Sequence, residues 1–287
     1  MKILIAAALA LLPTLSGAQL RAEPVTPSNQ AEPNHSSVPV EGPLRRIALV
    51  ADSALAIRLD TQIVTYAKNI DKKRPVASTQ KLLTALIIAE SGDLDKKIPV
   101  MRTDGQVPPR NLWITQGSSY RKGLLLEMML VRSFNDVTKC LARSHAGSQG
   151  EFAELMNKKA GELGMKHSRF LNAHGLTEEG QYSTARDMMR LAYATWNNDV
   201  IRKMVAVKDT EFTYTGSKTI PVKNSNDLLH SYSECTGMKT GFTKAAGRCL
   251  VASAMRGEKK VLAVILGSTM EDVWRDAEAI LRGSLDL

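Results

Sequence analysis

The sequence has few cysteines, and their positions do not suit a disulfide framework. Only three occur in 287 residues, whereas disulfide-stapled folds use several pairs. Cys140 lies in a helical pattern, and Cys235 and Cys249 lie on neighbouring predicted strands, about four residues out of register. In that hairpin we expect Cys249 to face Lys239 rather than Cys235. We therefore expect all three cysteines to be small buried residues without a bridge.

Two classes of hydrolase lack their identifying patterns in this chain. No Gly-x-Ser-x-Gly elbow occurs, which argues against a hydrolase with a Ser-His-Asp triad. The histidines show no paired spacing of the kind that holds zinc, so neither a metal nor a cofactor is predicted. We interpret His174 as a structural loop residue. The five histidines are His35, His145, His167, His174 and His230.

The positive charge is spread along the chain rather than concentrated. Lysine and arginine number 38 against 29 aspartates and glutamates, which gives a formal charge of +9. No stretch combines basic and aromatic residues in the manner of a nucleic-acid surface, so nucleic acid is not a predicted partner. The surface is expected to attract anions mildly, and outside the cytoplasm these are wall polymers or lipid headgroups.

Beyond its first residues, the chain has no apolar run long enough to cross a bilayer. Met1-Lys2 is a short basic start, residues 3–12 are apolar, and Ser16-Gly17-Ala18 is a small-x-small cleavage pattern. The apolar run is shorter than the ~20 residues that span a membrane. We predict a signal peptide over 1–18, export to the periplasm or the medium, and no transmembrane anchor after cleavage. Residues 19–43 carry five prolines among polar residues and are predicted to be a tether.

Strand patterns at both ends of the remaining chain bracket a helical middle. This order predicts an α+β fold, in which an antiparallel sheet is flanked by helices and an all-α lobe is inserted in the middle. We predict one domain over 44–287, with an α/β lobe from 44–100 and 200–287 and a mainly α lobe from 101–199. The candidate strands are 46–51, 54–59, 62–67, 236–241, 248–255 and 260–266, and the closing helix is predicted over 271–281.

An apolar helix carries the first candidates for chemistry. Residues 82–89 are apolar nearly all round, and a helix of that kind has to be buried, with Gly92 expected just after its end. Ser78 and Lys81 lie one turn apart at its beginning, with Cβ atoms roughly 5–6 Å apart. A hydroxyl beside a lysine that burial makes less basic is a nucleophile–base pair. The structural alternative is an N-cap serine beside a lysine that extends to solvent.

A second Ser-x-x-Lys at residues 119–122 shows how weak this motif is by itself. The second copy precedes an amphipathic helical pattern, so we interpret Ser119 as its N-cap and Lys122 as solvated. Lys81 differs because it lies in an apolar run, where the ammonium form is disfavoured. The contrast favours Ser78 over Ser119 as a nucleophile.

Two further short motifs complete a recognisable set. Ser133-x-Asn135 ends a helical pattern, and Lys239-Thr240-Gly241 lies on a predicted strand just before a turn. Each has a structural alternative, since Ser133 suits a helix end and Lys239 suits an edge strand. However, the order of the three motifs and their placement match the set found in penicillin-interacting serine enzymes.

On these motifs the chain resembles the low-molecular-mass penicillin-binding proteins, the serine D-alanyl-D-alanine carboxypeptidase and endopeptidase family (peptidase family S11). The resemblance extends from Ile47 to Leu281. It implies the DD-peptidase/β-lactamase-like fold, a peptidoglycan stem peptide as substrate and β-lactams as inhibitors. Further matching segments are 170–176, 182–187, 224–229, 237–243 and 246–250.

The resemblance implies catalytic roles for three residues. Ser78 attacks the carbonyl carbon of a D-alanyl-D-X peptide bond, and Lys81 takes its proton. Ser133 relays that proton to the leaving amine. Asn135 holds both Lys81 and a substrate amide.

The same resemblance implies a substrate-binding set. Lys239 supplies positive charge near Ser133 and the substrate carboxylate, and Thr240 offers that carboxylate a hydroxyl. The main-chain N–H groups of Ser78 and Phe242 form the oxyanion hole. The expected substrate-binding residues are Asn135, Lys239, Thr240, Gly241 and Phe242.

The expected activity is that of a D-alanyl-D-alanine carboxypeptidase, with an endopeptidase that cleaves peptide crosslinks as the alternative. A class A β-lactamase is disfavoured because Ser168 stands where its water-activating glutamate is expected. A catalytically silent wall-binding protein is disfavoured because all three motifs are intact.

Phe134 stands where many relatives have a small residue, which predicts a narrower or more apolar cleft rim. The chain ends soon after its last predicted helix, so we expect it to resemble the smaller, soluble members of the family.

Overall fold

The computed structural model describes residues 42–107 and 109–287. The predicted signal peptide and residues 19–41 of the predicted tether lie outside the described residues. Among the residues that are described, no helix has the length and apolar character needed to cross a membrane.

The strands of the described residues form one large antiparallel sheet and two small two-stranded sheets. They are β1 Ser53–Arg58, β2 Val64–Lys68, β3 Lys97–Pro99, β4 Ser119–Arg121, β5 Asp209–Thr213, β6 Thr219–Lys223, β7 Cys235–Thr243, β8 Gly247–Arg256 and β9 Lys259–Ser268. The order in the large sheet is β2-β1-β9-β8-β7, so a strand from the start of the domain pairs with the last strand of the chain. This order leaves β7 at an edge of the sheet.

Helices fill the middle of the chain and close its end. They are α1 Lys81–Glu90, α2 Lys122–Arg132, α3 Asn135–Ala146, α4 Gln149–Glu162, α5 Ala185–Trp196, α6 Asp199–Val205, α7 Leu228–Ser231 and α8 Asp272–Asp286. A 3₁₀ turn over Ala77–Gln80 runs directly into α1. The arrangement confirms the predicted α+β class, with helices inserted between the strands of one sheet.

The helix α1 is the buried centre of the helical part. All its residues from Lys81 to Ile88 are buried, as the apolar run predicts. Leu82 belongs to a large hydrophobic core that joins the inserted helices to one face of the sheet. A separate core packs α8 against the sheet and includes Ile280. Truncating a fully buried leucine such as Leu82 to alanine costs about 2–5 kcal/mol, so α1 is firmly anchored.

The interpretation of Ser119 and Lys122 is wrong in both parts. Ser119 lies on β4, and α2 begins three residues later, at Lys122 itself. The Lys122 side chain is buried, and its Nζ donates to the main-chain oxygen of Gly92 and to the Ser91 hydroxyl. Gly92 follows α1 with a left-handed backbone, φ +67°, as predicted. Lys122 is drawn inward because the carbonyl end of α1 favours a cation.

The apolar run 46–51 forms no strand, so only two of the first three candidates pair. The main-chain N–H groups of Val50 and Ala51 donate instead to the carboxylate of Asp276, at 3.2 and 2.8 Å. Asp276 lies on α8, which follows this run by more than 200 residues. A side-chain acceptor therefore replaces strand pairing at this point.

The β7–β8 hairpin differs from the predicted register by two residues. Cys249 faces Gly241, and Lys239 pairs with Val251. Both strands are longer than expected, so the turn that joins them is shorter. The three cysteines are buried and unbridged, as predicted.

Candidate active site

Ser78 lies on the 3₁₀ turn before α1, and two glycines allow other segments to pack against that turn. A Cβ atom on Gly241 would lie 2.9 Å from the main-chain nitrogen of Ser78. A Cβ atom on Gly175 would lie 2.2 Å from the main-chain oxygen of Ala77, and Gly175 has a φ of +84° that side chains disfavour. The edge strand β7 therefore runs directly beside Ser78.

The Lys81 side chain is fully buried, and three oxygens surround its tip. Its Nζ lies 2.9 Å from the hydroxyl oxygen of Ser78. It also donates to Oδ1 of Asn135 at 2.7 Å and to the main-chain oxygen of His174 at 2.6 Å. A neutral amine has two N–H bonds and one lone pair. Once these two acceptors take the N–H bonds, the lone pair is directed to the Ser78 hydroxyl.

The surroundings of Lys81 make its side chain a better base. Burial lowers its pKa well below the usual value of 10.5, and the positive charges of Lys239 and Arg110 lower it further. The oxygens around its Nζ belong to a hydroxyl, an amide and a peptide group, so none offsets the charge of an ammonium. The neutral amine is therefore populated closer to neutral pH than that of a solvated lysine.

His174 takes part in the site through its main chain, which sequence patterns do not reveal. Its main-chain oxygen accepts from Lys81 and lies 3.2 Å from the hydroxyl oxygen of Ser78. Its ring Nδ1 accepts from the N–H of Leu176 at 3.3 Å. Burial and the charges of Lys81 and Lys139 lower the pKa of the imidazole to about 3, so the ring is neutral. The ring is a loop-forming group, as interpreted, whereas the carbonyl contacts both Ser78 and Lys81.

A cluster of three buried amides, Gln80, Asn172 and Gln181, holds the segment that carries this carbonyl. The Oε1 atom of Gln181 accepts from the N–H groups of Leu171 and Asn172 at 2.9 and 3.2 Å. Its Nε2 donates to the main-chain oxygen of Leu176 at 3.0 Å. Gln80 donates to the main-chain oxygen of Asn172 at 2.6 Å. The one sequence signal for this cluster is a glutamine inside the Ser-x-x-Lys motif, next to an apolar run.

Asn135 begins α3, with its amide fixed between Lys81 and the loop of residues 109–114. Its Nδ2 donates to the main-chain oxygen of Pro109 at 2.6 Å. Its main-chain N–H donates to the main-chain oxygen of Arg110 at 2.9 Å. The next residue, Asp136, is fully buried and accepts main-chain N–H bonds from residues 112, 113 and 114. This carboxylate clamps the loop, and the loop fixes which atom of the Asn135 amide faces Lys81.

Ser133 ends α2 in a left-handed conformation, with φ +68°. Its hydroxyl is buried and has no hydrogen-bond partner among the described residues. A buried hydroxyl without a partner is uncommon in proteins. Ser133 stands two residues before Asn135, which contacts Lys81. Its hydroxyl is therefore available to a group that enters the site.

The strand β7 contributes the other predicted residues. The Lys239 side chain is buried, and its Nζ donates to the main-chain oxygen of Thr240 at 3.1 Å. Burial lowers the pKa of Lys239, and the charges of Arg110 and Arg248 lower it further. The Thr240 hydroxyl lies 2.8 Å from that of Ser225.

Phe242, two residues beyond Thr240 on the same strand, is 49% exposed. Its side chain is therefore accessible from solvent. The strand that carries it packs against the turn that carries Ser78, through Gly241.

The structure thus brings a serine hydroxyl, a buried lysine amine and an amide oxygen into direct contact. Such a set can activate the hydroxyl as a nucleophile. Main-chain N–H groups at the start of α1 and on the edge strand can stabilise the negative charge of a carbonyl under attack. An anionic substrate group beside Lys239 favours the ammonium form of this lysine, which burial and the neighbouring cations disfavour in its absence.

The sequence model of peptidase family S11, described as D-alanyl-D-alanine carboxypeptidase, matches residues 39–270 of the chain. The chain belongs to this family. The D-alanyl-D-alanine carboxypeptidase DacF of Bacillus subtilis is 33% identical over 228 residues, which cover 78% of this chain and 59% of that protein. The D-alanyl-D-alanine endopeptidase of Escherichia coli is 30% identical over 223 residues, which cover 76% and 71%.

A solved structure shares the fold. The Streptomyces K15 DD-transpeptidase superposes with a TM-score of 0.79 at 25% sequence identity, over 84% of this chain and 99% of that one. The chain spans little more than half the length of two of its carboxypeptidase relatives, 59% of DacF and 56% of the Escherichia coli carboxypeptidase DacC. The family resemblance inferred from the three motifs is confirmed.

Proposed function

We propose that this protein is a serine D,D-peptidase that acts as a D-alanyl-D-alanine carboxypeptidase on peptidoglycan stem peptides. The observation that carries the proposal is the 2.9 Å contact between the Ser78 hydroxyl and the Nζ of a fully buried Lys81. Family membership supports the choice of the D-alanyl peptide bond, because the matching family is described by that activity.

In the acylation step, the Ser78 Oγ attacks the carbonyl carbon of the penultimate D-alanine while the Lys81 Nζ takes the hydroxyl proton. The main-chain N–H groups of Ser78 and Phe242 stabilise the oxyanion. The carbon–nitrogen bond to the terminal residue then breaks. The Ser133 hydroxyl donates its proton to the leaving amine and regains one from Lys81. Free D-alanine leaves, and the peptide stays on Ser78 as an ester.

In the second step, water attacks the ester carbonyl and gives its proton to Lys81. The bond from the carbonyl carbon to Ser78 Oγ breaks, and Ser78 regains a proton. The products are the shortened peptide acid and the free enzyme. A β-lactam enters by the same first step, but its opened ring stays attached to the ester, which explains inhibition of enzymes with this motif set.

The proposed substrate contacts come from α3 and β7. Asn135 has a second Nδ2 hydrogen, besides the one donated to Pro109, that is suited to a substrate amide oxygen. Lys239 supplies buried positive charge for the terminal carboxylate, and the Thr240 hydroxyl lies beside it on the strand. Gly241 lets β7 pack directly against the turn that carries Ser78, so a substrate that lies along this strand is held beside the nucleophile.

An endopeptidase is the second candidate, because a relative named D-alanyl-D-alanine endopeptidase matches with similar identity. The test is product analysis by mass spectrometry on a pentapeptide monomer and a crosslinked dimer, with Ser78→Ala as the control. A carboxypeptidase releases D-alanine from the monomer and leaves the dimer joined. Conversion of the dimer to monomers identifies the endopeptidase instead. If Ser78→Ala makes either product at the native rate, the proposed mechanism is wrong.

The proposal extends to location and domain organisation. Residues 1–18 are proposed to be a signal peptide, 19–43 a tether, and 44–287 the catalytic domain, with its α lobe over 101–199. This organisation directs the enzyme to the periplasm or the outside of the cell, where peptidoglycan lies. N-terminal sequencing of the exported protein tests it, because a mature chain that begins at residue 19 is expected. A full-length protein retained in the cytoplasm would contradict it.

A further inference from the structure

Arg110 is an exposed cation on the loop that holds Asn135. Its main-chain oxygen accepts from the N–H of Asn135 at 2.9 Å, and its side chain is exposed. Its charge lowers the pKa of Lys81, of Lys239 and of Arg248. Arg110 therefore belongs to a group of cations at the site, on the side formed by the helical part.

No carboxylate among the described residues pairs with Arg110. Partial burial of its side chain and the like charge of Arg132 together lower the pKa of Arg110. Many other arginines of the described residues have acidic partners; Arg143, for instance, lies 2.8 Å from Asp104. Cations that are close together without anions repel one another, and such a cluster favours an anionic ligand.

The loop that carries Arg110 is held in one uncommon conformation. Arg110 and Trp113 both have left-handed backbones, with φ +66° and +60°. Such a conformation is uncommon for residues other than glycine, and it is often found at functional sites. The Asp136 carboxylate bonds to three successive N–H groups of the loop and keeps it in place. The backbone from which Arg110 projects is therefore fixed relative to Asn135.

The positive charge exceeds what the terminal carboxylate of the proposed substrate needs. Lys239 is buried beside Thr240 and serves that carboxylate in the proposed function, on which this inference rests. Arg248 is partly engaged, because its guanidinium lies 5.0 Å from the centre of the Trp274 ring and Asp227 acts on its charge. Arg110 has no such engagement among the described residues.

We propose that Arg110 forms a second carboxylate site at the rim of the cleft. The preferred peptide then carries a carboxylate in addition to its C-terminal one. Arg110 is a specificity-determining residue in this proposal: it selects the acidic peptide over a neutral peptide of the same length. Its planar guanidinium suits a carboxylate because it can form two parallel hydrogen bonds.

The test compares matched peptides that end in D-alanyl-D-alanine. There are two pairs, one for each of the two positions before that dipeptide. Within a pair, one peptide carries a side-chain carboxylate at that position and the other carries the corresponding carboxamide. Each peptide competes with a labelled penicillin for Ser78, so the readout does not depend on which bond the enzyme cuts. We expect the acidic peptide of one pair to protect Ser78 at about tenfold or more lower concentration.

Three variants make the comparison specific to Arg110. Arg110→Gln is expected to bring the ratio between the paired peptides close to one, and Arg110→Lys to retain part of it, because the charge remains. Arg121→Gln is the matched control, since Arg121 is an exposed arginine on β4 that pairs with Asp95 instead. Its ratio is expected to equal that of the native protein.

The result that overturns the inference is a native protein with no preference, or a preference that Arg110→Gln retains in full. Failure of the proposed function looks different. In that case the penicillin does not label Ser78 in the native protein, and neither peptide pair is processed. Labelling of Ser78 without a carboxylate preference leaves the peptidase proposal standing and rejects the second carboxylate site alone.

Discussion

The Nζ atom of Lys81 lies 2.6 Å from the main-chain oxygen of His174. This oxygen comes from none of the three sequence motifs, yet it contacts both the lysine and the Ser78 hydroxyl. Together with Oδ1 of Asn135 it provides acceptors for the two N–H bonds of a neutral amine. In the proposed mechanism this contact orients the buried lysine as a base, and each part of that mechanism leads to a prediction.

Replacing Lys81 by arginine is expected to slow acylation by a β-lactam about 10²-fold or more, because a general base contributes about 10²–10⁴-fold. Arginine retains the positive charge but does not lose a proton in proteins. Lys122→Arg is the matched control, since it makes the same change at another buried lysine in a Ser-x-x-Lys motif. The measurement is the acylation rate constant by intact-protein mass spectrometry. Native-rate acylation of folded Lys81→Arg would exclude Lys81 as the base.

The pH dependence of acylation should report the charges around Lys81. Lys81 accepts a proton only when neutral, so the rate rises with pH through its pKa, which lies well below 10.5. The charge of Arg110 helps to lower this pKa. Arg110→Gln is therefore expected to raise it and to move the rising limb of the rate to higher pH. Arg121→Gln, at an arginine paired with Asp95, should leave the limb unchanged. If the acylation rate of Arg110→Gln rises over the same pH range as that of the native protein, the electrostatic coupling between Arg110 and Lys81 is contradicted.

The His174 ring is expected to be dispensable, because its contacts with Lys81 and Ser78 are made by the main chain. His174→Ala should retain acylation within about tenfold of the native rate, far from the 10²–10⁴-fold loss of a general base. Stability gives a second readout. The folded pKa of about 3 lies below the usual 6.5, so the unfolded chain binds more protons between these values and native stability falls as the pH is lowered through them. The free energy of unfolding, measured by chemical denaturation at pH 4 and pH 7, should therefore fall less between pH 7 and pH 4 in His174→Ala than in the native protein.

Gln181 is expected to matter for both stability and rate, although it touches neither Ser78 nor Lys81. Gln181→Leu leaves the buried N–H of Asn172 and the partly buried N–H of Leu171 without their acceptor. Unsatisfied buried groups cost about 1–3 kcal/mol each, so we expect a loss of about 2–4 kcal/mol in the free energy of unfolding. The acylation rate should also fall, since the segment before the His174 carbonyl loses its support.

Gln149→Leu is the matched control for Gln181→Leu. Gln149 makes one side-chain hydrogen bond, to the main-chain oxygen of Lys139 at 2.9 Å. The same substitution there should cost about 1 kcal/mol and leave acylation unchanged. Denaturant titration and acylation rates at a temperature where all variants are folded compare the two positions. Equal effects at both positions would mean that the amide cluster has no special part in the site.

The burial of the reacting lysine could be predicted from the sequence because helix periodicity and apolarity act locally. The run 82–89 is apolar nearly all round, so the turn before it was expected at the edge of a core. The order of the three motifs likewise indicated the family before any contact was known. These features depend on residue types that are close in sequence.

Features that depend on distant parts of the chain could not be predicted. Lys122 points inward because the end of α1 offers it oxygens. The run 46–51 forms no strand, and the distant Asp276 carboxylate accepts the main-chain N–H groups of Val50 and Ala51. The role of the His174 carbonyl has no sequence signature at all, since every residue has a main-chain carbonyl. The register of β7–β8 depends on the length of a turn, which residue patterns fix only loosely.

The most direct test of the central claim is the site of attachment of a labelled penicillin. The native protein is incubated with the compound and digested, and the labelled peptide is mapped by mass spectrometry. We expect one adduct on Ser78, which lies 2.9 Å from the Lys81 amine, and none in Ser78→Ala. An adduct on another residue, or no adduct on the folded native protein, would contradict the claim that Ser78 and Lys81 form the nucleophile and its base.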